Sequence, residues 1–161
     1  MPFLLQILGK KKDDVKEQAI KALADMRAEE AVDALIALLE RKIKRPVDFA
    51  LWALLEMDAE VVLDKALRRY ATGGVTLRKR LVRLFAQMES RDAMDALARA
   101  FADPAPEVRR AAAEVVWEKM VCSGATVDGR LRDALMRALD DEDAEVRRAA
   151  VWNCLLYTSP S

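Results

Sequence analysis

Carboxylates recur in register along this chain, at Asp64, Asp95 and Asp133. Aspartates held in register could line a catalytic site. An arginine follows each of them by four residues, at Arg68, Arg99 and Arg137. Residues four apart lie on the same face of a helix, so we expect solvated ion pairs, each stabilising its helix by about 0.2–0.5 kcal/mol. The pattern favours a structural role for these carboxylates over a catalytic one.

The other groups that could do chemistry are scarce. The chain has no histidine, which removes the commonest general base and the commonest metal ligand, and excludes Ser-His-Asp and Cys-His catalysis. Cys122 and Cys154 stand outside any metal-binding spacing, and Gly73-Gly74 has no strand before it, so it predicts a turn rather than a phosphate loop. We therefore expect a non-enzymatic protein with no cofactor and no metal.

Composition limits the partners and the compartment. The 161 residues contain 27 Lys and Arg and 27 Asp and Glu, so the net charge is zero and the molecule lacks the positive field typical of non-specific nucleic-acid binding. No apolar stretch is long enough to span a membrane, and no secretory signal pattern is present. We expect a soluble cytoplasmic protein with no membrane partner.

One sequence unit is copied along the chain with a period of 31 residues. Met26, Met57 and Met88 mark it, as do Leu39, Tyr70 and Phe101. Glycine and proline number only five each, and helix-favouring residues abound. A period in this range, carried by helical patterns, is typical of repeat proteins whose units must stack to bury their apolar faces.

Two helices alternate in each unit, and the second is the easier to align. It starts near Val15, Pro46, Leu77, Val108 and Val146. Four residues later comes a mostly small column, Ala19, Ala50, Leu81, Ala112 and Ala150, and eight later come Leu23, Leu54, Phe85, Val116 and Cys154. This spacing predicts a buried stripe. We predict an all-α superhelix of about five helical hairpins over residues 1–153.

Two departures from the period stand near the end of the chain. Seven extra residues fall within Val121 to Gly129, which predicts a longer loop. The segment Cys154 to Ser161 abandons the repeat, and we expect it to be a non-native tail on a natural chain that continues.

The segments Asp103 to Ala112 and Asp141 to Ala150 resemble the D-P-x-x-x-V-R-x-x-A core of HEAT repeats, in the short form named after phycobilisome lyases. The resemblance implies that Arg109 and Arg147 tie one repeat to the next through acidic neighbours, and that the second helices line a concave face. Asp103 before Pro104 fits a helix N-cap followed by proline at the first helical position.

A candidate binding surface stands out in the aligned second helices. The position six residues after each start holds Lys21, Trp52, Arg83, Glu114 and Trp152, so we expect Trp52 to be exposed. Phe49, three residues before it, shares its helical face. The resemblance places Lys79, Arg80 and Arg83 of the next helix beside this pair. The alternative is that the aromatics pack on loop residues and the cations are simply solvated.

Three functions remain open on these grounds. The preferred hypothesis is a scaffold that binds a partner protein on its concave face through Phe49, Trp52, Lys79, Arg80 and Arg83. A nucleic-acid-binding protein similar to the HEAT-like alkylpurine DNA glycosylases is the second, although the neutral net charge opposes it. A chromophore-lyase accessory is suggested by the resemblance alone.

The loop edge also changes sign along the chain. It is basic early, at Lys10 to Lys12 and Arg41 to Arg45, and acidic late, at Asp103, Glu107, Asp140 to Asp143 and Glu145. Such an edge favours a partner of matching polarity or head-to-tail association of two copies. The simpler alternative is that these charges keep the surface soluble.

Overall fold

The computed structural model describes residues 13–25, 29–41, 44–123 and 129–157, and these are helical apart from short connections. The helices are α1 Asp13–Asp25, α2 Val32–Leu38, α3 Lys44–Glu56, α4 Ala59–Thr72, α5 Val75–Gln87, α6 Arg91–Ala100, α7 Pro106–Ser123, α8 Gly129–Ala138 and α9 Ala144–Tyr157. A 3-10 turn, Glu29–Ala31, leads into α2. No strand occurs in these ranges, and the predicted all-α class is confirmed.

The chain forms two compact units, Met1–Leu77 and Arg78–Ser161, with the boundary inside α5. Within the first unit α1 packs on α3 and α2 packs on α4 and on α3. Within the second unit α7 packs on α9, and α6 packs on α8 and on α7. In each unit, second helices therefore contact second helices and first helices contact first helices, as the hairpin repeat predicts.

The mostly small column of the second helices lies at the centre of each unit. Ala19, Ala50, Leu81, Ala112 and Ala150 are each at most 3% exposed. The column four residues later is also buried, at Leu23, Leu54, Phe85 and Val116. Small side chains at these positions let neighbouring helices approach closely, and the predicted register is confirmed. The side chain of Cys154 lies outside the described residues.

Two helices in the described part of the chain begin with a capping aspartate. Asp58 accepts hydrogen bonds from the backbone N–H groups of Glu60 and Val61 at 3.0 and 3.1 Å, at the start of α4. Asp143 accepts from the N–H groups two and three residues later, at 2.9 and 3.1 Å, at the start of α9. Each cap satisfies backbone donors that the helix leaves unpaired, which typically contributes about 1 kcal/mol.

The predicted N-cap at Asp103 is wrong. Helix α7 begins at Pro106, and Pro104 precedes it. Asp103 instead accepts a hydrogen bond from the backbone N–H of Ala105 at 2.9 Å, in the turn that leads to the helix. The second proline takes the first helical position, where its fixed φ and missing N–H cost nothing, so the aspartate lies too far upstream to cap.

The recurring aspartates have a structural role, but not always the predicted partner. Pairing within one helix is confirmed for Asp64 and Arg68, whose Oδ2 and Nη2 atoms are 2.8 Å apart. It is wrong for Asp95, which pairs with Arg130 on α8 at 2.5 Å, and for Asp133, whose carboxylate lies 4.0 Å from the guanidinium of the preceding residue. A neighbouring first helix supplies the cation for Asp95, which a single-helix pattern does not reveal.

The Gly73-Gly74 pair forms the connection between α4 and α5, as predicted. A Cβ atom on Gly73 would lie 2.7 Å from the backbone oxygen of Arg69 and 2.7 Å from Cδ2 of Leu77. Any other residue at position 73 would therefore have to displace backbone or core atoms. This close approach, rather than an unusual φ angle, requires the glycine.

Near the C-terminus α9 continues through Tyr157, past the proposed boundary after residue 153. The non-native origin of the tail stays a prediction. Of the predicted insertion, residues 124–128 lie outside the described residues, and α7 includes residues 121–123. None of the helices in the described ranges is long and apolar enough to cross a membrane.

Candidate functional site

A buried arginine links the last two hairpins of the second unit. The Arg109 side chain is 8% exposed, and its Nε and Nη2 donate to the two carboxylate oxygens of Asp141 at 2.7 and 2.9 Å. Its Nη1 donates to the backbone oxygen of Asp103 at 2.9 Å. The hydrogen bonds from Arg109 hold the pKa of Asp141 below its ordinary value, and the same bonds raise the pKa of Arg109. The role that the resemblance implied for Arg109 is therefore observed.

The same arrangement occurs one repeat earlier. Arg78 donates from Nε and Nη2 to the Asp103 carboxylate at 2.9 and 3.1 Å, and that side chain is only 3% exposed. Arg78 was not predicted as a linking residue, although it lies 31 residues before Arg109, at the same repeat position. The carboxylates of Asp103 and Asp141 are therefore bound inside the unit, and the predicted acidic edge does not offer them to a partner.

Arg147 repeats only part of this arrangement. Its Nη1 donates to the backbone oxygens of Asp141 and Glu142 at 2.7 and 2.9 Å, as Nη1 of Arg109 does one repeat earlier. Arg147 is exposed, whereas Arg109 is buried. The two arginines thus provide a matched pair in which the same residue type is either enclosed or solvated.

The predicted aromatic pair lies on α3 in the first unit. Trp52 is 39% exposed and Phe49 is half-buried, whereas Ala50, Ala53 and Leu54 on the same helix are buried. The helix therefore places its apolar core residues on one face and carries a large aromatic side chain outside that face. Solvent access makes Trp52 available as a contact residue.

The predicted cations lie on α5, in the part that belongs to the second unit. Lys79 and Arg80 are half-buried and Arg83 is exposed. Lys79 and Arg83 are four residues apart, and like charges at this spacing destabilise a helix by a few tenths of a kcal/mol. The aromatic pair belongs to the other unit, so these cations are a separate feature with their own chemistry.

A groove between α7 and α9 in the second unit was not predicted. Its volume is about 620 Å³, and it is lined by Arg110, Glu114, Glu118, Glu145, Arg148, Ala149 and Trp152. Trp152 is 57% exposed, more than any other large hydrophobic residue in the described ranges. It occupies the same repeat position as Trp52 and Glu114. The aligned position could have indicated the exposure of Trp152, but not the groove, which needs side chains from two packed helices.

In the part of the chain that the structure describes, no group of three or more Cys, Asp or Glu side chains is placed to hold a metal ion. The side chains of Cys122 and Cys154 are outside the described set.

Comparison with known proteins supports the repeat assignment. Residues 1–76 match the family model of HEAT repeats. This match confirms the resemblance over the N-terminal 76 residues, which lie outside the two segments that carry the D-P-x-x-x-V-R-x-x-A motif. No curated protein matches the sequence.

Solved structures of repeat and engineered proteins are also similar to this chain. A designed armadillo repeat protein in complex with the peptide (KR)4 is 17% identical, with a TM-score of 0.47 over 99% of this chain and 82% of that one. An engineered protein is 19% identical, with a TM-score of 0.39 over 93% of this chain and 76% of that one.

Proposed function

We propose that this chain is a non-enzymatic scaffold that binds a partner protein through the exposed faces of its second helices. The observation that carries the proposal is the exposure of Trp52 on a helix whose core contacts are made by other residues. Tryptophan is enriched among the residues that dominate binding energy at protein interfaces. A packed helix also presents it rigidly, so little conformational entropy is lost on binding.

Phe49 extends this anchor along α3. The two residues are three apart, so their side chains lie on one face of the helix. A half-buried phenylalanine beside an exposed tryptophan suits an apolar segment of a partner, which would remove both rings from water. The anchor therefore consists of Trp52, with Phe49 as its less exposed extension.

Lys79, Arg80 and Arg83 form the cationic part of the proposal. The two like charges at Lys79 and Arg83 weaken their own helix slightly, so a partner carboxylate would relieve an unfavourable interaction. We therefore expect an acidic residue on the partner to contact α5. This contact is separable from the aromatic anchor, because the two sets of residues belong to different units.

The test is the affinity of a partner captured with the intact chain and then purified. Trp52→Ala should weaken its binding about 30-fold or more, because truncating a desolvated aromatic anchor typically costs 2 kcal/mol or more. Glu56→Ala, which removes an exposed side chain from the same helix, is the matched control and should leave the affinity unchanged within about twofold. Equal affinities of the wild type and Trp52→Ala would contradict the proposal.

Nucleic acid is the second candidate, and the cations on α5 are the observation that favours it. The equal numbers of acidic and basic residues oppose it. If DNA were the partner, binding would fall steeply with salt, and Lys79→Ala and Arg83→Ala would weaken it equally. A protein partner held by the aromatic anchor would instead show a small salt dependence.

A further inference from the structure

The groove between α7 and α9 differs in chemistry from the surface on α3. We propose that this groove is a second binding site, which holds an arginine or lysine side chain of an extended peptide segment. Its volume of about 620 Å³ falls in the range typical of ligand sites, and all of its lining residues belong to the second unit. The residues that carry the inference are its carboxylates and Trp152.

The charges of the groove are unequal. Three glutamates and two arginines line it, which leaves one negative charge in excess. Arg110 lies 3.2 Å from the Glu114 carboxylate and 4.0 Å from that of Glu145, and Arg148 forms an ion pair with Glu145. Both guanidinium groups are thus neutralised within the groove. Glu118 makes no ion pair with another described residue, so its carboxylate is open to a cation from outside.

Trp152 supplies the second recognition element. At 57% exposure its ring offers an apolar face to a ligand, and a tryptophan face attracts a guanidinium or ammonium group. Ala149, one turn before it on α9, also lines the groove. A cationic side chain could therefore lie against Trp152 while its charged end pairs with Glu118.

The corresponding positions on α5 have the opposite character. Lys79 and Arg83 occupy the repeat positions that Arg110 and Glu114 occupy on α7. Two cations on α5 favour an acidic ligand, whereas the ion pair and the additional Glu118 on α7 favour a basic one. The excess negative charge also makes the groove unsuitable for a nucleic acid, whose phosphates it would repel.

The test uses the whole chain and a labelled peptide of four Arg-Gly repeats, with a Glu-Gly peptide of the same length as the comparison. Fluorescence anisotropy should detect binding of the arginine peptide only. Trp152→Ala should weaken that binding about tenfold, within the range measured for interface aromatics, and Glu118→Gln about two- to fivefold. Met136→Ala, which removes another large exposed side chain of the second unit from outside the groove, is the matched control and should bind as the wild type does.

Several results would overturn the inference. These are equal binding of the two peptides, equal losses for Trp152→Ala and Met136→Ala, or self-association of the chain that Trp152→Ala abolishes. Circular dichroism checks the fold of each variant, and Glu118→Arg, a charge reversal at an exposed residue, should abolish binding if Trp152→Ala proves unstable. The outcome is independent of the α3 surface, because the partner test there depends on Trp52 and this one does not.

Discussion

The buried ends of the hairpins and the exposed faces of the second helices differ in the kind of side chain that each contains. At the hairpin ends, charged groups are enclosed, and Arg109 with Asp141 forms a bidentate pair away from solvent. On the exposed faces, large apolar groups are solvated, at Trp52 and Trp152. Each is the reverse of the usual distribution of residues. The enclosed charges satisfy one another within the repeat, whereas the exposed aromatic side chains leave apolar surface available for binding.

The two units also solve the same packing problem differently. Val47 stands at the repeat position of Arg109, and it is buried. Both units also join their first helices by ion pairs, Lys65–Asp33 in the first at 2.8 Å and Arg130–Asp95 in the second at 2.5 Å. Replacing a buried ion pair by apolar residues is often neutral for stability. The Arg–Asp pair is therefore one of two workable ways to fill this position.

The largest expected loss of stability comes from a substitution in the buried column of the second helices. Ala112→Arg would place a long cation in a fully buried column, where it has neither space nor a partner. We expect a loss of more than about 4 kcal/mol in the free energy of unfolding, measured by urea denaturation followed by circular dichroism. Ala102→Arg, at an exposed position, is the control, and a loss within about 0.5 kcal/mol at position 112 would show that the register is wrong.

The next effect concerns the buried pair itself. Asp141→Ala would remove the bidentate partner of the enclosed Arg109 guanidinium and leave it the Glu142 carboxylate, 3.0 Å away. Breaking a buried pair in this way typically costs about 3–5 kcal/mol. The double variant Arg109→Met with Asp141→Leu should recover much of that loss, because it removes both charges. Arg147→Ala is the matched control, and a loss equal to that of Asp141→Ala would contradict the distinction between enclosed and solvated arginines.

Acid should act on the same pair. Because the folded-state pKa of Asp141 is lowered, its contribution to stability is complete above the ordinary carboxyl pKa of 3.8 and is lost as the pH falls toward the lowered value. Denaturation curves between pH 5 and about pH 2 should therefore show a smaller acid-induced loss for Asp141→Asn than for the wild type. Glu142→Gln, whose carboxylate is 86% exposed, should follow the wild type. Identical curves for Asp141→Asn and the wild type would disprove this role.

The sequence predicted what depends on local periodicity. The 31-residue spacing and the column that contains Ala112 predicted the helices and their buried faces, because both follow from which residues must leave water. Some ion pairs whose partner belongs to another hairpin were not predicted. The local motif placed Asp103 at a helix start, whereas its main partner is Arg78, and Asp95 binds an arginine on the neighbouring first helix.

The two candidate surfaces also differ in whether local sequence could predict them. The exposure of Trp52 could be predicted, because the equivalent position in most other repeats holds a charged residue. The groove at Trp152 could not, because it depends on side chains from two helices that only the packing of α7 on α9 brings together. The function of both surfaces remains a prediction, since the sequence specifies the chemistry of a surface but not its partner.

The most direct test of the central claim compares two residues on α3 that differ in exposure. Trp52→Ala should change the free energy of unfolding by no more than about 0.5 kcal/mol, as expected for a surface substitution. Leu54→Ala, at a residue that is 1% exposed, should cost about 2–5 kcal/mol in the same urea titration. That result would establish that the stability of the fold does not depend on the Trp52 side chain, which leaves it available for binding. A loss of 2 kcal/mol or more for Trp52→Ala would instead make it a structural residue and contradict the account.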